Sequence, residues 1–156
     1  MSNQNFKEAL AKGMASCSRR ELSALEVLER VKKFELNPEQ IKELISVLKK
    51  DNFLNHKRYA SSFTNDKFKF NHWGKIKIKT HLIHKGVEEE FIKASLAAID
   101  SKEYQNKIIE LAKRKMNVLK DENLFLKKQK VIQHLSQKGF ETDKTVTIVS
   151  DLWPTL

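Results

Sequence analysis

The sequence is poor in everything that would cross-link or anchor it. It has one cysteine, Cys17, in 156 residues. That excludes an internal disulfide and any multi-cysteine zinc site, and a reduced, cytoplasmic setting is expected. No apolar run approaches the roughly 20 residues of a membrane span. The opening Met1-Ser2-Asn3-Gln4-Asn5 lacks the charged-then-apolar order of a signal peptide, so no membrane partner is expected. Two prolines and four glycines leave few chain breaks, and 40% of the residues are hydrophobic, so the chain should fold and be mainly helical. A glycine-rich phosphate loop is missing. Acid is missing from one stretch: no Asp or Glu lies between residues 67 and 87.

What is present in excess is positive charge, +10 in all. Residues 52–86 carry eight bases against one acid, and residues 112–138 eight against two. Two such blocks attract polyanions or acidic protein surfaces. The plainer reading is a solvated, solubilising surface.

Apolar spacing and start signals divide the chain into helices. Phe6, Leu10 and Met14 predict a short one over 6–15. Ser18-Arg19-Arg20-Glu21 reads as a capping box opening a second, with Leu22, Leu25, Leu28 and Val31 along one side. Asn37-Pro38-Glu39-Gln40 opens a third, with Pro at the first helical position. Asn55 caps a fourth, with Tyr59, Phe63 and Phe68 inward. The stretch from Asn71 to Lys85 places Gly74, Ile78 and Leu82 on one face, and Gly86 follows where a positive φ would close the helix. Gly74 is out of place at a helix start unless another backbone or ring comes close to it. Further helices are expected over Val87–Ile99, with Glu88, Glu89 and Glu90 in the first turn, from a Ser101 cap to Leu119, and from Asp121-Glu122 to Lys138. The segment Thr142–Leu152 is rich in Thr, Val and Ile and taken alone suggests a strand.

An internal repeat overrides that suggestion. With Glu35, Gly86 and Gly139 in register, Val27, Ile78 and Val131 coincide, as do Val31, Leu82 and Leu135. Leu22, Trp73 and Leu126 also align, which favours a core role for Trp73. Leu48, Ile99 and Leu152 align in the following helix. The fold expected is all-α, built as three tandem three-helix repeats over 6–50, 51–100 and 101–152, each gaining core by stacking on its neighbour. Residues 142–152 are then helical.

Catalytic chemistry finds little support. His81 and His84 are three apart with His72 nearby, but a metal site needs further ligands, and no metal or other cofactor is expected. Cys17 has Arg19 and Arg20 close by but no partner at a recognisable spacing, so a structural thiol is expected. The basic residues carry more. Lys127, Lys130, His134 and Lys138 line one helix face, as do Lys75 and Lys79, with Lys77 elsewhere on that helix. Lys113, Arg114 and Lys115 wrap around theirs.

The stretch Leu54-Asn55-His56-Lys57-Arg58-Tyr59-Ala60-Ser61-Ser62-Phe63-Thr64-Asn65-Asp66-Lys67-Phe68 resembles the signature of the RecX family, the bacterial modulators of the RecA recombinase. Gly74, Ile78, Leu82 and Lys85-Gly86 continue the match. Lys138-Gly139-Phe140 resembles the third-repeat turn and Ser18-Arg19-Arg20-Glu21-Leu22 the first-repeat opening. Asn55-His56 stands where the family often has acids, Lys75 where Pro is common, and Glu35-Leu36 where it has Gly-Phe. The resemblance implies an elongated, curved array that docks into the groove of a RecA filament on single-stranded DNA, with duplex DNA also open. It implies inhibition of RecA ATP turnover, strand exchange and co-protease activity in DNA repair and the SOS response, with no catalytic residues of its own. The contacts expected are Lys57, Arg58, Lys67 and Lys69, then Lys75, Lys77 and Lys79, and in the last repeat Lys113, Arg114, Lys127, Lys128, Lys130 and Lys138. The alternative is a nucleic-acid-binding helical protein that needs no recombinase. No long heptad seam is present, so a monomer is expected.

Overall fold

The computed structural model describes residues 2–120 and 123–154. Among them the chain forms nine α-helices and one 3-10 turn, with no strand. The helices are α1 (Ser2–Arg19), α2 (Ala24–Arg30), α3 (Pro38–Lys50), α4 (His56–Lys69), α5 (Lys75–His84), α6 (Glu89–Ala97), α7 (Ser101–Val118), α8 (Leu124–Gln137) and α9 (Thr142–Leu152), with the 3-10 turn over Lys32–Phe34. This is the expected all-α repeat fold. The expected opening at Asp121-Glu122 lies outside the described residues; α8 is capped by Asn123, whose side chain accepts the Leu126 N–H.

The chain divides into two compact units. The first holds the residues up to Phe63 together with Leu82–Lys93. Its core gathers Ala9, Cys17, Leu22, Val27, Val31, Leu44, Leu48 and Leu54. α1 runs four residues further than the apolar spacing predicts, because Ala9, Gly13, Ser16 and Cys17 form a buried stripe of small side chains. A Cβ on Gly13 would come within 3.1 Å of Leu48 Cδ1, so helix α3 packs close there. Ser18 therefore lies inside α1, its hydroxyl donating to the Met14 carbonyl, and the capping box belongs to Ser23 and Glu26. The Asn37/Gln40 box with Pro38 forms as expected. Such caps stabilise each helix by about 1 kcal/mol. Asn55 caps α4 through the Arg58 N–H, 3.0 Å away.

The second unit holds Thr64–His81 and the chain from Ala94 onward. Tyr104, Ile108, Leu111, Ala112 and Met116 of α7 are buried, as are Val131 and Leu135 of α8 and Ile148 and Val149 of α9, and the three helices pack on one another. Phe68, Tyr104 and Phe140 stack in series at centroid distances of 5.8 and 5.4 Å. α7 is capped by Asp100 rather than Ser101. α9 is helical despite its β-branched content. Thr145, Ile148 and Val149 fall on one buried stripe, and the Thr145 and Thr147 hydroxyls bond the carbonyls four residues back.

The residues aligned by the repeat share a backbone state: φ is +50° at Glu35, +77° at Gly86 and +94° at Gly139. Val27, Ile78 and Val131 are fully buried, as are Leu82 and Leu135 with Val31 nearly so. The third alignment holds less well. Leu22 is buried, Trp73 half-buried, and Leu126 48% exposed.

Two helix starts are built alike. In the first unit the Ala24 N–H donates to His56 Nε2 (2.9 Å), and His56 Nδ1 meets the Glu88 carboxylate at 3.0 Å. With Nε2 accepting, Nδ1 is the nitrogen left to donate to the carboxylate. In the second unit the Lys75 N–H donates to the Tyr104 hydroxyl (3.0 Å), which donates to Glu141. Ala24 and Lys75 are equivalent in the repeat register, and so are Glu88 and Glu141. Each ring satisfies an amide that the helix cannot bond internally.

Candidate polyanion interface

The start of α5 is clamped onto the turn that follows α8. The Gly74 N–H donates to the Lys138 carbonyl at 2.8 Å, and the Ile76 N–H to the Gly139 carbonyl at 2.9 Å. A Cβ on Gly74 would lie 2.3 Å from the Gly139 carbonyl. The missing side chain at Gly74 is thus explained by a second backbone, as the sequence leads one to expect. Helix α5 begins at Lys75, not Asn71. Residues 71–74 form a connection in which His72 adopts φ +58°, and the Trp73 N–H returns to the Lys67 carbonyl.

This connection gathers cations from four helices. Lys67 Nζ of α4 lies 4.9 Å from the Trp73 ring centroid and Lys77 Nζ of α5 lies 4.5 Å from it. His81 packs on the same ring at 4.5 Å. From α7, Lys107 Nζ sits 3.0 Å from His72 Nδ1. At the end of α8, Lys138 Nζ donates to the Asn71 carbonyl at 3.1 Å. Trp73 is therefore a cation platform, not the core residue its alignment with Leu22 and Leu126 implies.

The electrostatics of this region are dominated by like charge. Burial, then Lys107, Lys138 and Arg114, hold the His72 ring below its ordinary range, against a smaller opposing pull from Glu110. Burial and then Lys77 lower Lys138. Burial, Lys115 and Lys138 lower His134. Glu110 is itself engaged by Arg114 at 2.6 Å. An arrangement of this kind favours the approach of an anion.

The expected contact residues divide accordingly. Lys67, Lys77, Arg114 and Lys138 join this field. Lys75 lies over the Tyr104 ring at 4.9 Å. Lys69, Lys79, Lys113 and Lys130 are exposed, and Lys127 and Lys128 half-buried. In the first unit Lys57 is exposed, but Arg58 is committed within the fold. It bonds Glu21 (2.9 Å), the Asn52 side chain (2.9 Å) and carbonyl (3.0 Å), and the Phe53 carbonyl (3.3 Å). Sequence reasoning missed Lys107, which lies outside both basic blocks, and treated His72 only as a possible metal ligand. Among the described residues no group of three His, Cys, Asp or Glu is placed to hold a metal ion, and no helix is long and apolar enough to cross a membrane.

Comparison with known proteins bears on this geometry. The family model described as "RecX, second three-helix domain" matches residues 55–96, and that described as "RecX, third three-helix domain" matches residues 102–144. Together they span more than half of the chain. The chain belongs to the RecX family. It is 34% identical over 114 residues to the "Regulatory protein RecX" of Clostridium perfringens strain 13, covering 72% of this chain and 53% of that protein. With the Lactococcus lactis protein of the same description it shares 37% over 106 residues, 67% of this chain and 39% of the relative. The chain thus spans about half the length or less of these relatives. The crystal structure of RecX from Lactobacillus salivarius superposes with a TM-score of 0.85 at 23% identity, over 96% of this chain and 97% of that one, and shares the fold. The cation field lies where the two matched domains supply helices α4, α5, α7 and α8.

Proposed function

We propose that this chain regulates the RecA recombinase. It binds along the RecA filament on single-stranded DNA and inhibits ATP turnover, strand exchange and co-protease activity, so restraining recombinational repair and the SOS response. It acts in the cytoplasm as a monomer, without a cofactor and without chemistry of its own. Of its three repeats, over 6–50, 51–100 and 101–152, the second and third carry the cationic faces that contact the filament. The observation that carries this reading is the convergence of Lys67, Lys77, Lys107 and Lys138 around Trp73 and His72. The family membership supports RecA as the partner in this reading.

The half-buried Trp73 between two ammonium groups also favours a second reading, an independent nucleic-acid binder. Strand exchange by RecA separates the two. Stoichiometric addition of this protein should suppress product formation. Strong DNA binding in a salt-series gel shift, with strand exchange untouched, would support the second reading instead.

A further inference from the structure

Two equivalent joints in this chain carry opposite electrostatics. In the first unit, the turn at Gly86 seats beside the start of α2. A Cβ on Gly86 would lie 3.2 Å from Leu25 Cδ1. The residue before that glycine, Lys85, reaches Glu26 of α2, with Nζ 3.3 Å from Oε2. In the second unit, the turn at Gly139 seats beside the start of α5, where a Cβ on Gly139 would lie 2.3 Å from Lys77 Cβ. The residue before that glycine is Lys138. In the repeat register Lys138 matches Lys85, and Lys77 matches Glu26. Where the first joint has an acid and a base, the second has two bases.

The second joint compensates poorly on its own. Among the described residues Lys138 finds the Asn71 carbonyl, a neutral acceptor, and Lys77 rests over the Trp73 ring. Lys107 and His72 stand next to them, joined at 3.0 Å. The fold therefore keeps the joint that Lys85 and Glu26 close in the first unit, but without its carboxylate. An oxyanion placed between Lys77 and Lys138 would do what Glu26 does. Phosphate suits the place better than a protein carboxylate. It offers more acceptor oxygens to several converging donors, and the adjoining Trp73, His72 and His81 rings suit the sugar and base that accompany a backbone phosphate.

We propose that the joint between the start of α5 and the Gly139 turn is a phosphate-binding site, formed by Lys77 and Lys138 with Lys107 and His72, that takes a backbone phosphate of single-stranded DNA. This deepens the function proposed above, since it assigns DNA rather than RecA to this part of the chain. It rests on that reading only for the identity of the polymer. Occupancy locks the turn to α5 as Glu26 locks the first joint.

The test is Lys77→Glu, which rebuilds the Glu26–Lys85 pair in the second joint, read by thermal unfolding with three additives. Wild type should gain roughly 5 °C with a (dT)12 oligonucleotide near 100 times its dissociation constant, gain less with inorganic pyrophosphate, and gain least with polyglutamate of matched charge. Lys77→Glu should unfold at higher temperature than wild type without additive, and should lose most of the (dT)12 shift. A Lys77→Gln variant, lacking both charges, should lose the shift without the gain. The site is refuted if Lys77→Glu is less stable than wild type, or if it keeps the full shift. A polyglutamate response equal to that of (dT)12 refutes the phosphate assignment. An unchanged RecA assay alongside a normal (dT)12 response would refute the RecA reading and leave this site standing.

Discussion

Replacing Gly74 by alanine adds one methyl group where two backbone segments of the second unit meet. That methyl would meet the Gly139 carbonyl carbon and oxygen at 2.3 Å and the Phe140 nitrogen at 2.4 Å. All three are backbone atoms, so no rotamer change relieves the clash. The turn must withdraw from α5, and the bonds from Gly74 and Ile76 to Lys138 and Gly139 lengthen or break. Two hydrogen bonds contribute about 1 kcal/mol each, and forced overpacking costs about 1–3 kcal/mol. The sum is about 3–5 kcal/mol, a large part of the 5–15 kcal/mol that stabilises a typical domain. Gly86→Ala is the natural comparison. Its methyl meets only Leu25, which is half exposed and can swing aside, so the cost is chiefly that of left-handed backbone, about 1–2 kcal/mol. Urea unfolding followed by circular dichroism measures both. Gly74→Ala should lower the midpoint by about 2 M, taking a slope of about 2 kcal/mol/M, and Gly86→Ala by less than half of that. A Gly74→Ala protein within 0.5 M of wild type, or no weaker than Gly86→Ala, would refute the account of this joint.

Three further outcomes are expected. Arg58→Ala, which removes four hydrogen bonds to Glu21, Asn52 and Phe53, should destabilise by about 1–2 kcal/mol in urea while leaving oligonucleotide affinity unchanged; a large affinity loss at constant stability would return Arg58 to the binding surface. Burial pushes the Glu88 carboxyl up, but its own backbone amide and His56 outweigh this and hold it below the ordinary value of 4.5. Its contribution is therefore complete above about 4.5 and lost as pH falls through the lower folded value. Glu88→Gln should start less stable at neutral pH and show a flatter acid limb in urea titrations, and an unaltered limb would contradict the bridge. Polyanion binding should restore protons to His72 and His134, whose rings are held below 6.5. DNA affinity measured by anisotropy should thus rise as pH falls from about 7.5 to about 6, and His72→Gln should reduce that rise.

Much of the fold was legible because it is written in apolar spacing. The register of Glu35, Gly86 and Gly139 predicts a shared turn, and all three have positive φ. It also makes residues 142–152 helical against their composition. The misreadings have physical causes. Ser18-Arg19-Arg20-Glu21 and Ser23-Ala24-Leu25-Glu26 have the same S-x-x-E form. What decides between them is the small-residue stripe of α1, which hydrophobic periodicity does not register. Asn71–Gly74 reads as helix because Gly74 has the right spacing, although His72 turns left-handed there. The candidate site was half legible. The basic blocks pointed to Lys77 and Lys138. Nothing local pointed to Lys107, and nothing local set Lys67 and Lys77 on Trp73. These depend on which turn sits on which helix start, and the long-range pairs His56–Glu88 and Tyr104–Glu141 were invisible for the same reason.

The most direct measurement is the ATPase rate of RecA on single-stranded DNA, with wild-type protein and with the Lys77, Lys107 and Lys138 triple glutamine variant in parallel. Wild type should depress turnover at amounts stoichiometric with RecA, and the folded variant should depress it far less. Turnover that is indifferent to the wild-type protein would contradict the account.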